Sequence, residues 1–124
     1  MKIRGIGIDL IEIDRMNKAY QRWGTRLEKR VLTGEEIRIR KSLQKEYLSY
    51  LAGRFAAKEA IFKALGHQLN WQDVTVLYGK NGQPTVSLKG RSRNIAENLG
   101  IKNVLVSISH TNKYAVAQAI ALSN

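Results

Sequence analysis

The chain has 124 residues with 21 Lys and Arg against 10 Asp and Glu, a net charge of +11, and no cysteine. That length predicts one domain spanning residues 1–124 with a modest core, and the missing thiols exclude disulfides, cysteine-ligated zinc and a cysteine nucleophile. His67 and His110 are the only histidines, so a metal would have to be held by oxygen, and with no apolar run of transmembrane length and no secretion signal the expected location is the cytoplasm, with no membrane partner.

In chain order, Ile6, Ile8 and Leu10 alternate with Gly5, Gly7 and Asp9, which predicts a strand over Lys2–Ile13 with a clear apolar side opposite the glycines. The two glycines beside Asp9 let a second backbone or a ligand come close. Leu10 stands where a dinucleotide fingerprint needs a third glycine, so that fold is set aside. Asp14 is read as the N-cap of a helix from Arg15 to about Trp23, broken by Gly24. A short helix follows over Arg26–Val31. Thr33 with Glu36 forms a capping box for a third helix reaching about Ser42. The longest helix runs from about Glu46 to Leu65 and stops at Gly66. Strands are expected at Val74–Tyr78 and Thr85–Leu88, joined by the turn Asn81-Gly82. A helix over Ser92–Leu99 and strands at Asn103–Ser109 and Tyr114–Ala121 complete an α+β pattern, a largely antiparallel sheet packed on a long helix.

The long helix carries an acid in an unusual place. Leu48, Leu51, Ala52, Phe55, Ala56 and Phe62 recur at steps of three and four, and Glu59 falls on the same face. A pair with Lys63 at i+4 explains the lysine but not an acid on the core side. A carboxylate there loses hydration and needs a partner. Asp9 and Glu59 together are candidate ligands for Mg2+, which rarely receives an all-protein cage. Lys63, Lys58 and Arg54 flank Glu59 as candidate phosphate contacts.

Charge is concentrated between Arg15 and Lys45, where ten Lys and Arg face three acids. Such a field attracts polyanions: nucleic acid, an anionic membrane, a phosphorylated cofactor or an acidic protein. Arg15, Lys18 and Arg22 form a stripe at helical spacing, and Gly24 interrupts it before Arg26. Trp23 and Leu27 could anchor a partner among these charges, and Trp23 could equally be core. A basic nucleic-acid-binding domain without catalysis stays open as an alternative. It lacks the known binding signatures and leaves Asp9 and Glu59 without a role.

The segments GIGIDLIEIDR from Gly5 and RFAAKEAIFKALG from Arg54 together resemble the holo-acyl-carrier-protein synthases, the short bacterial 4'-phosphopantetheinyl transferases. SISHTNKYAVAQAI from Ser107 resembles that family's closing strands. The resemblance covers nearly the whole chain. It implies the 4'-phosphopantetheinyl transferase fold and transfer of 4'-phosphopantetheine from coenzyme A to a serine of apo acyl carrier protein, leaving 3',5'-ADP. It further implies Asp9 and Glu59 as Mg2+ ligands, Lys63 on the diphosphate, Arg54 on the coenzyme A side, His110 near the phosphates as a helper in catalysis, and Gly82 and Pro84 against the nucleotide. Arg15, Arg22 and Arg26 match the carrier-docking face, and a homotrimer is implied, with sites between subunits. The serine's base is left open between Glu59 and a metal-bound water. After Gly66 the chain departs from the family: His67 to Trp71 replace a Gly-rich stretch and the loop is a few residues shorter. That difference bears on cofactor contacts and affinity, and it keeps open a catalytically silent interaction subunit of the same fold.

Overall fold

The computed structural model describes residues 1–39 and 42–124, Gln44 by its backbone alone. The first strand, β1, spans Lys2–Glu12, and Ile13 already belongs to helix α1, Ile13–Trp23. Asp14 does not cap that helix. Glu12 holds the N-cap position without a side-chain bond, and Asp14 lies inside the first turn, where it pairs with Lys18 at 3.3 Å on the exposed side. Helix α2 covers Thr25–Val31 and α3 covers Gly34–Ile39. Of the longer helix expected to follow Thr33, residues 40 and 41 lie outside the described residues. The capping box itself is present: Thr33 N–H donates to Glu36 Oε1 at 2.7 Å, and Glu36 N–H to Thr33 Oγ1 at 3.4 Å.

A 3-10 turn, Gln44–Glu46, leads into α4, Tyr47–Leu65, which ends at Gly66 in the left-handed region (φ 73°). A second 3-10 turn, Trp71–Asp73, precedes the hairpin of β2, Val74–Tyr78, and β3, Pro84–Leu88. Helix α5, Gly90–Asn98, then connects to β4, Ile101–His110, and β5, Tyr114–Ser123. Two antiparallel sheets result: β1-β5-β4, and the separate hairpin β2-β3.

The register of the larger sheet explains where α4 lies. On one face stand Gly7, Ala119 and Val106 in one row and Asp9, Ala117 and Ile108 in the next. The alanines of that face are buried, and they form one core with Ala56, Ala60, Ile61 and Ala64 of α4. Small residues bring the helix backbone down onto the sheet. A Cβ on Gly5 or Gly7 would stand 1.9 Å from the carbonyl oxygen of Ala64 or Ala60. The glycines thus admit a backbone rather than a ligand.

The apolar side of β1 is not the side that α4 covers. Its isoleucine side faces away from α4: Ile6, Ile8 and Leu10 are each more than 60% exposed. Alternation predicted the strand, but two apolar surfaces competed for one core and the glycine face won it. The other α4 expectation also widens. The helix is buried almost all round, Arg54 and Lys58 included, rather than along one stripe.

Candidate functional site

Asp9 projects from β1 toward α4, on the face where the glycines have drawn the two backbones together. Lys63, on the last turn of α4, donates to the Ile8 carbonyl at 2.8 Å and reaches Asp9 Oδ1 at 3.4 Å. It therefore ties helix to strand across the sheet edge instead of serving only its own helix. Glu59 lies one turn earlier and half-buried. Burial, and then the charge of Asp9, pushes the Glu59 carboxyl above the ordinary carboxylate range, while Lys63 opposes the shift. Asp9 is raised as well, by burial first, again partly offset by Lys63. Two acids near enough for Asp9 to raise Glu59, with one ammonium bonded to Asp9 and the strand backbone, form an under-neutralised anionic pair.

Each acid lines its own cleft. One contains Asp9, Arg15, Met16 and Tyr114, and the other Glu59, Arg30, Gln68 and Trp71. Leu27 and Phe55 line both. Among the described residues no group of three or more His, Cys, Asp and Glu is arranged around a common point. The pair suits a small hard cation that completes its shell with other oxygens: the donors are carboxylates, and each is destabilised as an ion until a cation arrives.

Lys58 is not free to meet phosphate. Its ammonium donates to Glu36 Oε1 at 2.7 Å and to the carbonyls of Val31 at 2.6 Å and Trp71 at 3.2 Å, with both side chains of the pair fully buried. The other Glu36 oxygen accepts from Val76 N–H at 2.8 Å. Burial lowers the Lys58 pKa, and Glu36 works against that shift. The capping-box acid thus doubles as the counter-ion of a buried lysine, joining α2, α3, α4 and β2.

Arg54 is also buried, 1% exposed. Its guanidinium lies between the rings of Tyr50 and Tyr78, at 4.3 and 4.6 Å, and Nε donates to Val76 O at 3.2 Å. Nη2 has no protein partner. Arg54 lines a second cavity with Tyr78, Ile108 and His110. Five residues separate Arg54 from Glu59, so at about 100° per residue they point roughly 140° apart around α4. His110 ends β4, two strands from Asp9, about 10 Å across the sheet. One chain therefore holds two half-sites: Asp9, Glu59 and Lys63 at one sheet edge, Arg54 and His110 at the other. Gly82 lies in the β2–β3 turn with φ 76°, and Pro84 pairs with Tyr78, next to the second half-site.

The basic residues of α1 and α2 take up a third place. Arg22 and Arg26 each cover the Trp23 ring, at 5.0 and 5.6 Å, and Trp23 is 45% exposed, so it is not core. Trp23, Arg26, Leu27 and Arg30 line one groove, and Arg15 joins Asp9 in the neighbouring cleft. The aromatic partners of Arg54 were not singled out in the sequence, although Tyr50 precedes it by four residues, the spacing of helix-face neighbours. Trp71, noted there only as part of an altered loop, stacks on Phe55 with ring centroids 5.0 Å apart.

An antiparallel sheet carries a long buried helix, and each contributes one acid at the same edge. The model of the 4'-phosphopantetheinyl transferase superfamily matches residues 5–119. A holo-[acyl-carrier-protein] synthase of Dehalococcoides mccartyi is 44% identical over 117 residues, 93% of this chain and 95% of its own. That of Natranaerobius thermophilus is 39% identical over 98% and 99% of the two chains. Among solved structures, the synthase of Neisseria meningitidis superimposes with a TM-score of 0.92 at 28% identity, covering 98% of this chain and 100% of that one. The Bacillus anthracis synthase, solved in complex with CoA (3',5'-ADP), gives 0.82 at 33% identity over 98% of both. The chain belongs to the 4'-phosphopantetheinyl transferase superfamily and, within it, to the holo-[acyl-carrier-protein] synthases.

Proposed function

We propose that Asp9, Glu59 and Lys63 form the reaction centre of a single-domain transferase that moves 4'-phosphopantetheine from coenzyme A to a serine of apo acyl carrier protein. The serine oxygen bonds to the phosphorus that bears pantetheine, and the bridging oxygen leaves with 3',5'-ADP. One observation carries the assignment of the centre: Lys63 of the long helix bonds to Ile8 O and reaches Asp9 on the strand, and the charge of Asp9 is near enough to help raise the Glu59 pKa. Relatives from Bacillus anthracis and Helicobacter pylori solved with coenzyme A support the donor.

Asp9 and Glu59 would hold Mg2+, which when bound offsets charge on the diphosphate and on the departing oxygen. The chain's own groups do the rest. Lys63 adds a positive charge at the same edge, placed by its bond to Ile8 O. Arg15 borders the Asp9 cleft and, with Arg22 and Arg26, presents cations to an acidic carrier. The unpartnered Nη2 of Arg54 and the imidazole of His110 suit a phosphate of the nucleotide end, with Gly82 and Pro84 beside them.

The half-sites diverge around α4, so a donor that touches both lies between two copies of the chain. The exposed face of Ile6, Ile8, Leu10 and Leu105 offers the apolar surface for that assembly, and a homotrimer is the reading we adopt. Among the described residues no helix is long and apolar enough to cross a membrane. We assign the enzyme to the cytoplasm.

The deciding experiment mixes the protein with apo carrier, coenzyme A and Mg2+ and weighs the carrier by mass spectrometry. A gain of one phosphopantetheine, abolished by chelator, is expected. No gain with metal present, or a gain that ignores the chelator, refutes the reading of the centre. Sedimentation at micromolar concentration should show a trimer, and a monomer there would remove the shared site.

A further inference from the structure

We propose that Gln72 is a positioning residue for carrier recognition, holding the C-terminal end of α2 so that Arg26 and Arg30 keep their places beside the reaction centre. The inference rests on the transferase reading above, with α1 and α2 as the edge that meets an acidic carrier. Gln72 lines neither the groove of Trp23, Arg26, Leu27 and Arg30 nor the two clefts at the acids, so its effect on the carrier passes through α2.

Helix α2 is seven residues long, well below the roughly 12–15 at which an isolated helix holds itself together. Gly24 at its N-cap supplies no side-chain bond. At the other end, Glu28 O accepts from Leu32 N–H, and the carbonyls beyond it have no partner within the helix. They are met from outside. The Gln72 carboxamide donates to Lys29 O at 2.6 Å and to Leu32 O at 2.9 Å, with Arg30 O at 3.5 Å. Lys58 donates to Val31 O at 2.6 Å. The two donors belong to one assembly, because Lys58 also donates to the carbonyl of Trp71, the residue before Gln72. Lys58 directly precedes Glu59 in α4. The end of α2 is thereby set against the helix that carries one of the two acids.

Tyr47 of α4 gives α2 an anchor nearer its middle, donating to the buried Glu28. One anchor leaves a short helix free to swing about it. A clamp at the end, with Lys58 on the buried side and Gln72 nearer the surface, fixes the direction in which the exposed Arg26 and Arg30 point. Gln72 is itself held: its backbone N–H donates to Asn70 Oδ1 at 3.0 Å, and Asp73 N–H donates to Asn70 O at 3.0 Å. A donor ordered by its own turn loses little entropy in keeping α2 in place. Lys58 is buried and its loss disturbs the fold, whereas Gln72 can be changed at the surface and reports on position alone.

The test uses the full chain with apo carrier, coenzyme A and Mg2+. It compares Gln72→Met, close in size but without a donor, with Gln72→Lys, which restores one. Gln72→Met should raise the KM for carrier about threefold to tenfold, with kcat and the KM for coenzyme A within about twofold of the parent. Gln72→Lys should bring the carrier KM back to within about twofold of the parent. In a cycle with Arg26→Ala the two losses should fall short of additive, because Gln72 acts through that helix. An unchanged carrier KM in Gln72→Met, an equal rise for coenzyme A, or full additivity with Arg26→Ala overturns the proposal. So does failure of Gln72→Lys to rescue, or a collapse of the Gln72→Met urea midpoint, which would make Gln72 a residue of the fold alone. A parent without transfer refutes the transferase reading itself; an active parent with an indifferent Gln72→Met refutes only the role of Gln72.

Discussion

Gly7→Ala tests the contact on which the reaction centre depends. The added Cβ would stand 1.9 Å from Ala60 O and 2.9 Å from Ala64 N, against ordinary contact from 3.4 Å. The atoms in the way are helix backbone, so no side-chain rotation relieves them. To accommodate the methyl group, α4 must lift from β1 by about 1.5 Å. Overpacking of a core costs about 1–3 kcal/mol when side chains can adjust. A rigid helix that also loses its seat on the sheet should cost about 4 kcal/mol or more, a large part of a stability of roughly 5–15 kcal/mol. With an m-value near 2 kcal/mol/M, the urea midpoint should fall by about 2 M. The same shift parts Glu59 and Lys63 from Asp9, so transfer activity of the folded fraction should drop at least about 100-fold. Urea melts and the carrier mass assay read both effects. A Gly7→Ala protein with the parent's midpoint and turnover would show that helix and strand are not in contact here, and the account of the centre would fail.

Other outcomes follow from individual groups. Glu59→Gln should fold and lose most activity, about 100-fold or more. It should also melt a few degrees higher than the parent in metal-free buffer near pH 7, because Asp9 and Glu59 both have raised pKa values in the fold. Groups shifted that way contribute stability below the ordinary carboxylate range and lose it as pH rises through the folded value, so the gain should vanish below about pH 4. A gain that persists in acid would contradict the stated cause. Lys58→Met leaves Glu36 buried without its cation and should cost about 3–5 kcal/mol in urea melts, and pairing it with Glu36→Gln should recover part of the loss. A cost below about 1 kcal/mol for the single variant would mean the pair is not buried as described. Arg22→Glu should raise the KM for carrier about tenfold and leave coenzyme A affinity unchanged, and equal damage to both would move α1 into the cofactor site.

How much of the site could be read in advance depended on how local each signal was. Asp9 and Glu59 stood out because each broke a periodic pattern, an acid after two glycines on a strand and an acid on an apolar helix face. Thr33 and Glu36 announced a cap through a spacing of three. The role of Glu36 as counter-ion to Lys58 was not legible, since the two are 22 residues apart and only packing makes them partners. Lys58, Lys63 and Arg54 looked alike as cations on one helix. Their different fates come from what each meets at its own angle around α4: a buried carboxylate, a strand edge, and a pair of tyrosine rings.

What the linear chain determined was the list of elements and the residue types they carry, because helix and strand periods, caps and glycine stops act over a few neighbours. Which side of β1 is inner was a matter for the tertiary structure alone. Ile6, Ile8 and Leu10 are as apolar as any core residues, and no property of theirs says whether a helix or another molecule covers them. The close approach of α4 answers that, since only the side without Cβ atoms admits a helix backbone at that distance. The same approach brings residues 9 and 59 together and turns Arg54 toward the opposite edge.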